Sequence, residues 1–199
     1  MNLDSLYSKF LEINKVSTDT RKSIKGSIFF CLKGPNYNGN HFAYEALKKG
    51  AEIVIIDEKQ KTNEPKFVFV DDSLKCLQNL AKKHREALKI PILAITGTNG
   101  KTSTKNLIYD VLNTKFKVKK TIGNFNNHIG LPLSILSIDK NYEFAVLEFG
   151  ASKIGDITEL CEIGQPNYGL ITNIGKAHLE EFGNIKNIIK TKTELWRYL

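Results

Sequence analysis

Ile92-Leu93-Ala94-Ile95-Thr96-Gly97-Thr98-Asn99-Gly100-Lys101-Thr102-Ser103-Thr104 decides how the rest of this chain is read. A mostly apolar strand runs into a glycine turn, followed by a lysine and hydroxyl side chains at the start of a helix-compatible segment. That order aims the backbone N–H groups of the turn and of the new helix N-terminus at one point, where the helix dipole also favours an anion. Glycine lets the backbone approach without a Cβ in the way. The run therefore predicts a cradle for the phosphates of a nucleoside triphosphate such as ATP, built from Gly97, Thr98, Asn99, Gly100, Lys101, Thr102 and Ser103. Lys101 is expected to reach the terminal phosphates, and Thr102 to offer its hydroxyl to Mg²⁺. The general P-loop pattern wants a glycine five residues before Gly100, where Ile95 stands; Gly97, three residues before it, makes this a shorter loop.

Outward from the loop, strand and helix alternate. The pattern predicts a strand at 92–96, a helix at 101–112 and a strand at 116–121. A loop at 124–132 leads into a short helix, followed by a strand at 144–149, a helix at 154–163, a strand at 168–172 and a helix from 184 to 199. Apolar strands alternating with helices imply a parallel sheet covered on both faces, with the ligand at the carboxyl ends of the strands. Gly97–Thr102, Glu148 and the run 173–178 all fall there. Upstream, residues 3–13 and 73–88 carry apolar residues at helical spacing. Residues 28–32, 53–56 and 67–70 read as strands, and 33–39 as a loop dense in turn residues. Asn40 is expected to cap a helix that runs to Lys49. A domain boundary is placed near Lys89–Pro91, giving an α/β domain over 1–89 and a doubly wound, mostly parallel P-loop domain over 90–199.

The 199 residues suffice for two small domains with real cores. No apolar run approaches the roughly 20 residues of a membrane helix, so no membrane span is expected. The start lacks a basic segment followed by an apolar core, and the three cysteines have no metal-ligand spacing. Reduced thiols in a cytoplasmic protein are expected. The net charge of +8 divides as +5 over residues 1–89 and +3 over residues 90–199, which gives no concentrated nucleic-acid stripe. The local basic cluster Lys115–Lys120 reads as a strand with a solvated face.

Several residues outside the loop are candidates for chemistry. Glu148 closes an apolar strand, where a carboxylate is costly unless something offsets its desolvation. A Mg²⁺ bridging phosphates is one such partner, and a structural ion pair at the rim is the other. His178 lies on a strand-end loop that converges on the phosphate site. Asn126 and Asn127 present amides suited to a polar substrate, or simply to a turn. Thr20 and Arg21, in a hydroxyl-rich turn, suit a phosphate or a ribose, or are again a plain turn. Lys190 and Lys192 read by themselves as solvated lysines.

Taken together these segments resemble the Mur ligases, ATP-dependent enzymes that lengthen the peptide of the bacterial cell-wall precursor. Thr96–Thr104 matches the family loop with its shorter glycine spacing. Ser17–Arg21, Gly26–Gly34 and Asn38–Phe42 resemble the UDP-binding N-terminal domain. Asn124–Leu133 and Leu147–Ala151 resemble the member that adds D-alanyl-D-alanine to UDP-MurNAc-tripeptide. The resemblance implies that ATP phosphorylates the terminal carboxylate of the tripeptide and that the amine of D-alanyl-D-alanine attacks the acyl phosphate. It implies that Thr102 and Glu148 hold one Mg²⁺ and that His178 helps hold a second. It further implies that Lys192 carries a carbamate, that Asn126 and Asn127 lie on the UDP-sugar side, and that Thr20 and Arg21 lie near the uridine diphosphate. Family enzymes continue well past the position of Leu199, so the expectation is an N-terminal portion, inactive alone. Other readings are another superfamily member, such as the third-residue ligase or a folylpolyglutamate synthetase-like enzyme, and a non-catalytic nucleotide or UDP-sugar binding module.

Overall fold

The computed structural model of the chain describes residues 1–60, 64–175 and 182–199. Its contacts divide it into Met1–Lys83 and His84–Leu199. Both units are α/β with parallel sheets.

In the first unit the strands β1 (Val16–Ser17), β2 (Ile28–Phe30), β5 (Ile53–Ile56) and β6 (Phe67–Phe69) lie in that order, each parallel to its neighbour. Every residue of β2 and β5 is buried, the signature of a sheet covered on both faces. Helix α1 (Leu3–Ile13) starts where Asn2 accepts the N–H of Ser5, and it turns Leu6 and Phe10 inward. Helix α2 (Ala43–Lys48) buries Ala43 and Ala46 in a core with Ile24, Phe29, Cys31, Val54 and Ile56. Helix α3 spans Ser73–Leu88.

Two expectations for this unit are corrected. The turn-rich stretch after β2 contains a small antiparallel hairpin, β3 (Lys33–Gly34) with β4 (Tyr37–Asn38). Asn40 is not a helix cap: it lies inside a 3₁₀ turn, Gly39–Phe42, whose cap is Asn38. The side chain of Asn40 instead clamps the end of β5, donating to Asp57 Oδ1 at 2.7 Å and accepting the Asp57 N–H at 3.1 Å.

In the second unit the sheet order is β10 (Tyr168–Ile171), β7 (Ile92–Thr96), β9 (Phe144–Glu148), β8 (Val118–Lys120), all parallel. Helix α4 (Lys101–Leu112) covers one face, closing a core of Ile95, Val118 and Val146 with Ile108, Tyr109 and Leu112. Side chains alternate along a strand, so Ala94 and Thr96 face the opposite layer. Helices α5 (Gly130–Leu136) and α6 (Asp156–Gly164) follow the loops that leave β8 and β9. Strand β8 begins two residues later than the alternation of Lys115–Lys120 suggested, because the chain after α4 first turns over Thr114–Phe116. The expected terminal helix is divided at Thr193 into α7 (Ile185–Lys192) and α8 (Glu194–Tyr198).

Candidate functional site

The carboxyl ends of β7 and β9 lie side by side, Ile95 in register with Glu148. From β7 the chain enters Gly97, whose φ of +141° suits glycine, and a Cβ there would stand 2.1 Å from Thr172 Oγ1. Close packing of loop on neighbouring strand end is therefore built into this glycine. The Thr98 N–H bonds to Asn173 O at 2.9 Å and the Asn99 N–H to Asn173 Oδ1 at 3.1 Å. Asn173 Nδ2 and Thr172 Oγ1 return bonds to Asn99 O. The backbone donors of Thr98 and Asn99 are thus spent on the loop's own support. Gly100, with φ +76°, then delivers the chain into α4, whose first intrahelical bond is Thr104 N–H to Gly100 O. The donors left facing outward are those of the first helical turn, Lys101 to Ser103. Asn173 is a support that sequence reasoning passed over; only its place at the tip of β10 signalled it.

Lys101 folds over the loop and donates to the carbonyls of Gly97 and Thr98 at 2.9 and 3.0 Å. Burial lowers its affinity for the proton, with Glu148 acting in the opposite sense. Thr102, the next residue, donates its hydroxyl to Glu148 Oε2 at 2.9 Å. Glu148 is 3% exposed, and its other oxygen accepts Asn126 Nδ2 at 2.9 Å. Its backbone N–H is held by Thr121 Oγ1 at 2.9 Å. Lys105, also buried, donates to Thr121 O at 2.9 Å and stands 4.0 Å from Glu148 Oε2. Of the partners weighed for Glu148 in the sequence, the ion pair is present in the Lys105 ammonium, while the Thr102 hydroxyl occupies its Oε2. Lys105 escaped notice, although its spacing of four from Lys101 puts the two on one helix face.

A cleft of about 330 Å³ opens beside this centre, lined among others by Lys101, Asn126, His128, Asp156, Phe182 and Lys192. Lys192 is 4% exposed, contrary to the solvated lysine its sequence surroundings suggest. Its Nζ lies 5.7 Å from the centre of the Phe182 ring. Burial, then the charge of Lys101, brings its pKa down to about 8 against the opposing pull of Asp156 and Glu194. Asn127 turns its carboxamide oxygen to the N–H groups of Ile129 and Gly130, so it caps the start of α5. His178 lies outside the described residues.

Thr20 and Arg21 lie in the first unit. They line a separate cleft of about 540 Å³ with Tyr37 and Phe42, whose rings stack at 5.6 Å and 12°. Arg21 forks onto Asp19, Nε at 2.8 Å and Nη2 at 2.9 Å. That fork draws the Asp19 carboxyl down to about 2.

An oxygen pair made of a hydroxyl and a carboxylate at a strand tip suits a hard divalent cation such as Mg²⁺. Among the described residues no three His, Cys, Asp or Glu side chains gather as a metal cluster. A cation here would take its remaining ligands from phosphate and water, the usual habit of Mg²⁺.

Comparison with known proteins agrees with this architecture. The family profile described as Mur ligase middle domain matches residues 95–199, and that described as Mur ligase family, catalytic domain, matches residues 12–95. The chain belongs to the Mur ligase family. It is 42% identical over 186 residues to the UDP-N-acetylmuramoyl-tripeptide–D-alanyl-D-alanine ligase of Bacillus subtilis (strain 168), an overlap of 92% of this chain and 40% of that one. A crystal structure of MurF from Acinetobacter baumannii superposes with a TM-score of 0.89 at 32% identity, over 94% of this chain and 41% of that chain. The MurF ligase of Thermotoga maritima, solved in complex with ADP, superposes at 0.86 with 37% identity, over 94% and 44%. The chain thus spans about 40% of the length of the Bacillus relative.

Proposed function

We propose that this chain supplies the ATP-holding and UDP-precursor-holding parts of an ATP-dependent ligase of peptidoglycan synthesis. The whole protein joins D-alanyl-D-alanine to UDP-MurNAc-tripeptide through an acyl phosphate, in the cytoplasm. One observation carries the reading: the Thr102 hydroxyl meets the buried Glu148 carboxylate at 2.9 Å, one residue past the loop lysine. The relatives' names and the ADP complex of the Thermotoga ligase support the same assignment.

The roles of Lys101, Thr102, Glu148 and Lys192 follow from their surroundings, and that of His178 from the family resemblance. The N–H groups of the first turn of α4 bind the phosphates, and the Lys101 ammonium moves from the carbonyls of Gly97 and Thr98 to the terminal phosphoryl group. Thr102 and Glu148 hold Mg²⁺, with Asn126 fixing the Glu148 oxygen turned away from Thr102. Mg²⁺ held there would supply positive charge against the negative charge of the phosphates. A lysine that titrates at about 8 is partly neutral at physiological pH, so Lys192 Nζ can add to the carbon of CO₂, shed a proton and become a carbamate. His178 is assigned to the second metal. Asn126 and Asn127 are assigned to the UDP-sugar side on the family resemblance alone; in the structure Asn126 donates to Glu148 and Asn127 accepts the first N–H groups at α5.

The stacked Tyr37 and Phe42 beside Arg21 and Thr20 suit a base and its diphosphate. Arg21 then exchanges Asp19 for phosphate. Calorimetric titration of the chain with UDP-MurNAc-tripeptide tests this half of the reading. Saturable binding that weakens about tenfold in Arg21→Ala is expected, the loss of one charge-assisted contact. Absence of heat with the wild-type chain contradicts it.

A further inference from the structure

Helix α6 forms one wall of the cleft through Asp156, Glu159 and Leu160, yet its N-cap, Gly155, has no side chain to close the helix. Helix starts leave N–H groups without acceptors, and a local Ser, Thr, Asp or Asn normally supplies one. Here the acceptor arrives from 39 residues downstream. Glu194 is 7% exposed; one of its oxygens accepts the Gly155 N–H at 2.8 Å. The other accepts the Thr158 N–H at 2.9 Å and the Thr158 hydroxyl at 3.1 Å. An ionised acceptor at the positive end of a helix makes strong bonds of the favourable sign. Asp156 does not serve instead, because its Oδ2 is turned back to the N–H groups of Ser152 and Lys153. At the far end of α6, the buried Arg85 donates to the carbonyls of Gly164 and Gln165 at 3.0 and 2.9 Å. The cleft wall is therefore pinned at both ends by buried charges from distant segments.

Only Thr193, at φ −74° and ψ −8°, separates Glu194 from Lys192. The anchor and the amine thus sit on one short helical connection. We propose that Glu194 is a positioning residue whose bonds to Gly155 and Thr158 set the distance between the α6 wall and the Lys192 amine. The proposal rests on the reading of this cleft as the ligase site. An ordinary helix cap would steady α6 and leave Lys192 indifferent, and that difference is measurable.

The test is the rate at which an acid anhydride acetylates Lys192, followed peptide by peptide by mass spectrometry, with buried Lys105 as the internal reference. Wild type is compared with Glu194→Gln and Glu194→Asp, each shown to be folded by circular dichroism. At least fivefold faster labelling of Lys192 is expected in both variants, with Lys105 unchanged. Glu194→Asp keeps the charge and loses the reach, so the same outcome there assigns the effect to position. Unchanged labelling of Lys192 in variants whose Gly155 and Thr158 amides exchange faster would overturn the proposal. Should Glu194→Gln fail to fold, Thr158→Val removes one of the three bonds, and an increase of at least twofold is expected. ¹³C-bicarbonate NMR on the same samples separates the two claims. A Lys192 carbamate in wild type that falls at least fivefold in the variants supports both. No carbamate in wild type contradicts the ligase reading of Lys192 and leaves the labelling rates to decide the role of Glu194.

Discussion

At the scale of residues, burial changes what a side chain is able to do. Lys192 shows this best, since a lysine that titrates at about 8 inside the fold returns to roughly 10.4 when the chain unfolds. Between those values the unfolded state holds the extra proton, so stability rises as pH rises through that window. Below pH 8 both states are protonated and the native state bears the cost of a buried charge. Lys192→Met is therefore expected to stabilise the protein at pH 7 by about 1–3 kcal/mol, and this gain is expected to shrink towards pH 10. Thermal melts in CO₂-free buffer at the two pH values check it; an equal gain at both contradicts the account. Nothing in Lys190-Thr191-Lys192 marks the second lysine as the buried one. That difference arises from packing of α7 and α8 on α6, which no local pattern encodes.

At the scale of elements, the phosphate loop is the part most legible in the sequence. Its helix begins at Lys101 and its strand ends at Thr96, as the glycine spacing requires. The support beneath it was not legible, because Asn173 and Thr172 lie more than 70 residues away and their side chains donate to a backbone carbonyl, that of Asn99. Gly97 is where loop and support meet. A Cβ there would lie 2.1 Å from Thr172 Oγ1 and 3.1 Å from the Asn173 carbonyl, at a φ that side chains seldom adopt. Gly97→Ala is expected to cost about 2–4 kcal/mol, read from urea unfolding, and to abolish nucleotide binding. A variant as stable as wild type would show that the seam is not needed. Short elements escaped for a related reason: β3 and β4 each span two residues, too few for any period to show. Asn40 was misread because its type suits a cap, while the acceptor its amide meets, Asp57, is set by the fold.

At the scale of the whole molecule, each unit has its own parallel sheet and its own cleft. Arg21 and Thr20 line the first, and Lys101 and Lys192 line the second, beside which Glu148 accepts the Thr102 hydroxyl. Apolar strands alternating with helices announced the parallel sheet of the second unit; in the first unit the strands at 28–32, 53–56 and 67–70 were legible, but neither their parallel order nor β1 was. Which polar residues would gather at their ends followed only in part, for Glu148 and Thr102 stand at strand and helix ends, whereas Lys105 acts from within a helix and Glu194 on partners 36 and 39 residues upstream. The resulting centre places one carboxylate, one hydroxyl and one ammonium at the mouth of a dipole-bearing helix. Calorimetric titration of this chain with ATP, in Mg²⁺ and again in EDTA, for wild type and Glu148→Gln, measures what that centre does. The account predicts saturable binding by wild type in Mg²⁺ that weakens at least tenfold in EDTA and to the same degree in Glu148→Gln. Equal affinity under all of these conditions, or no binding at all, would contradict it.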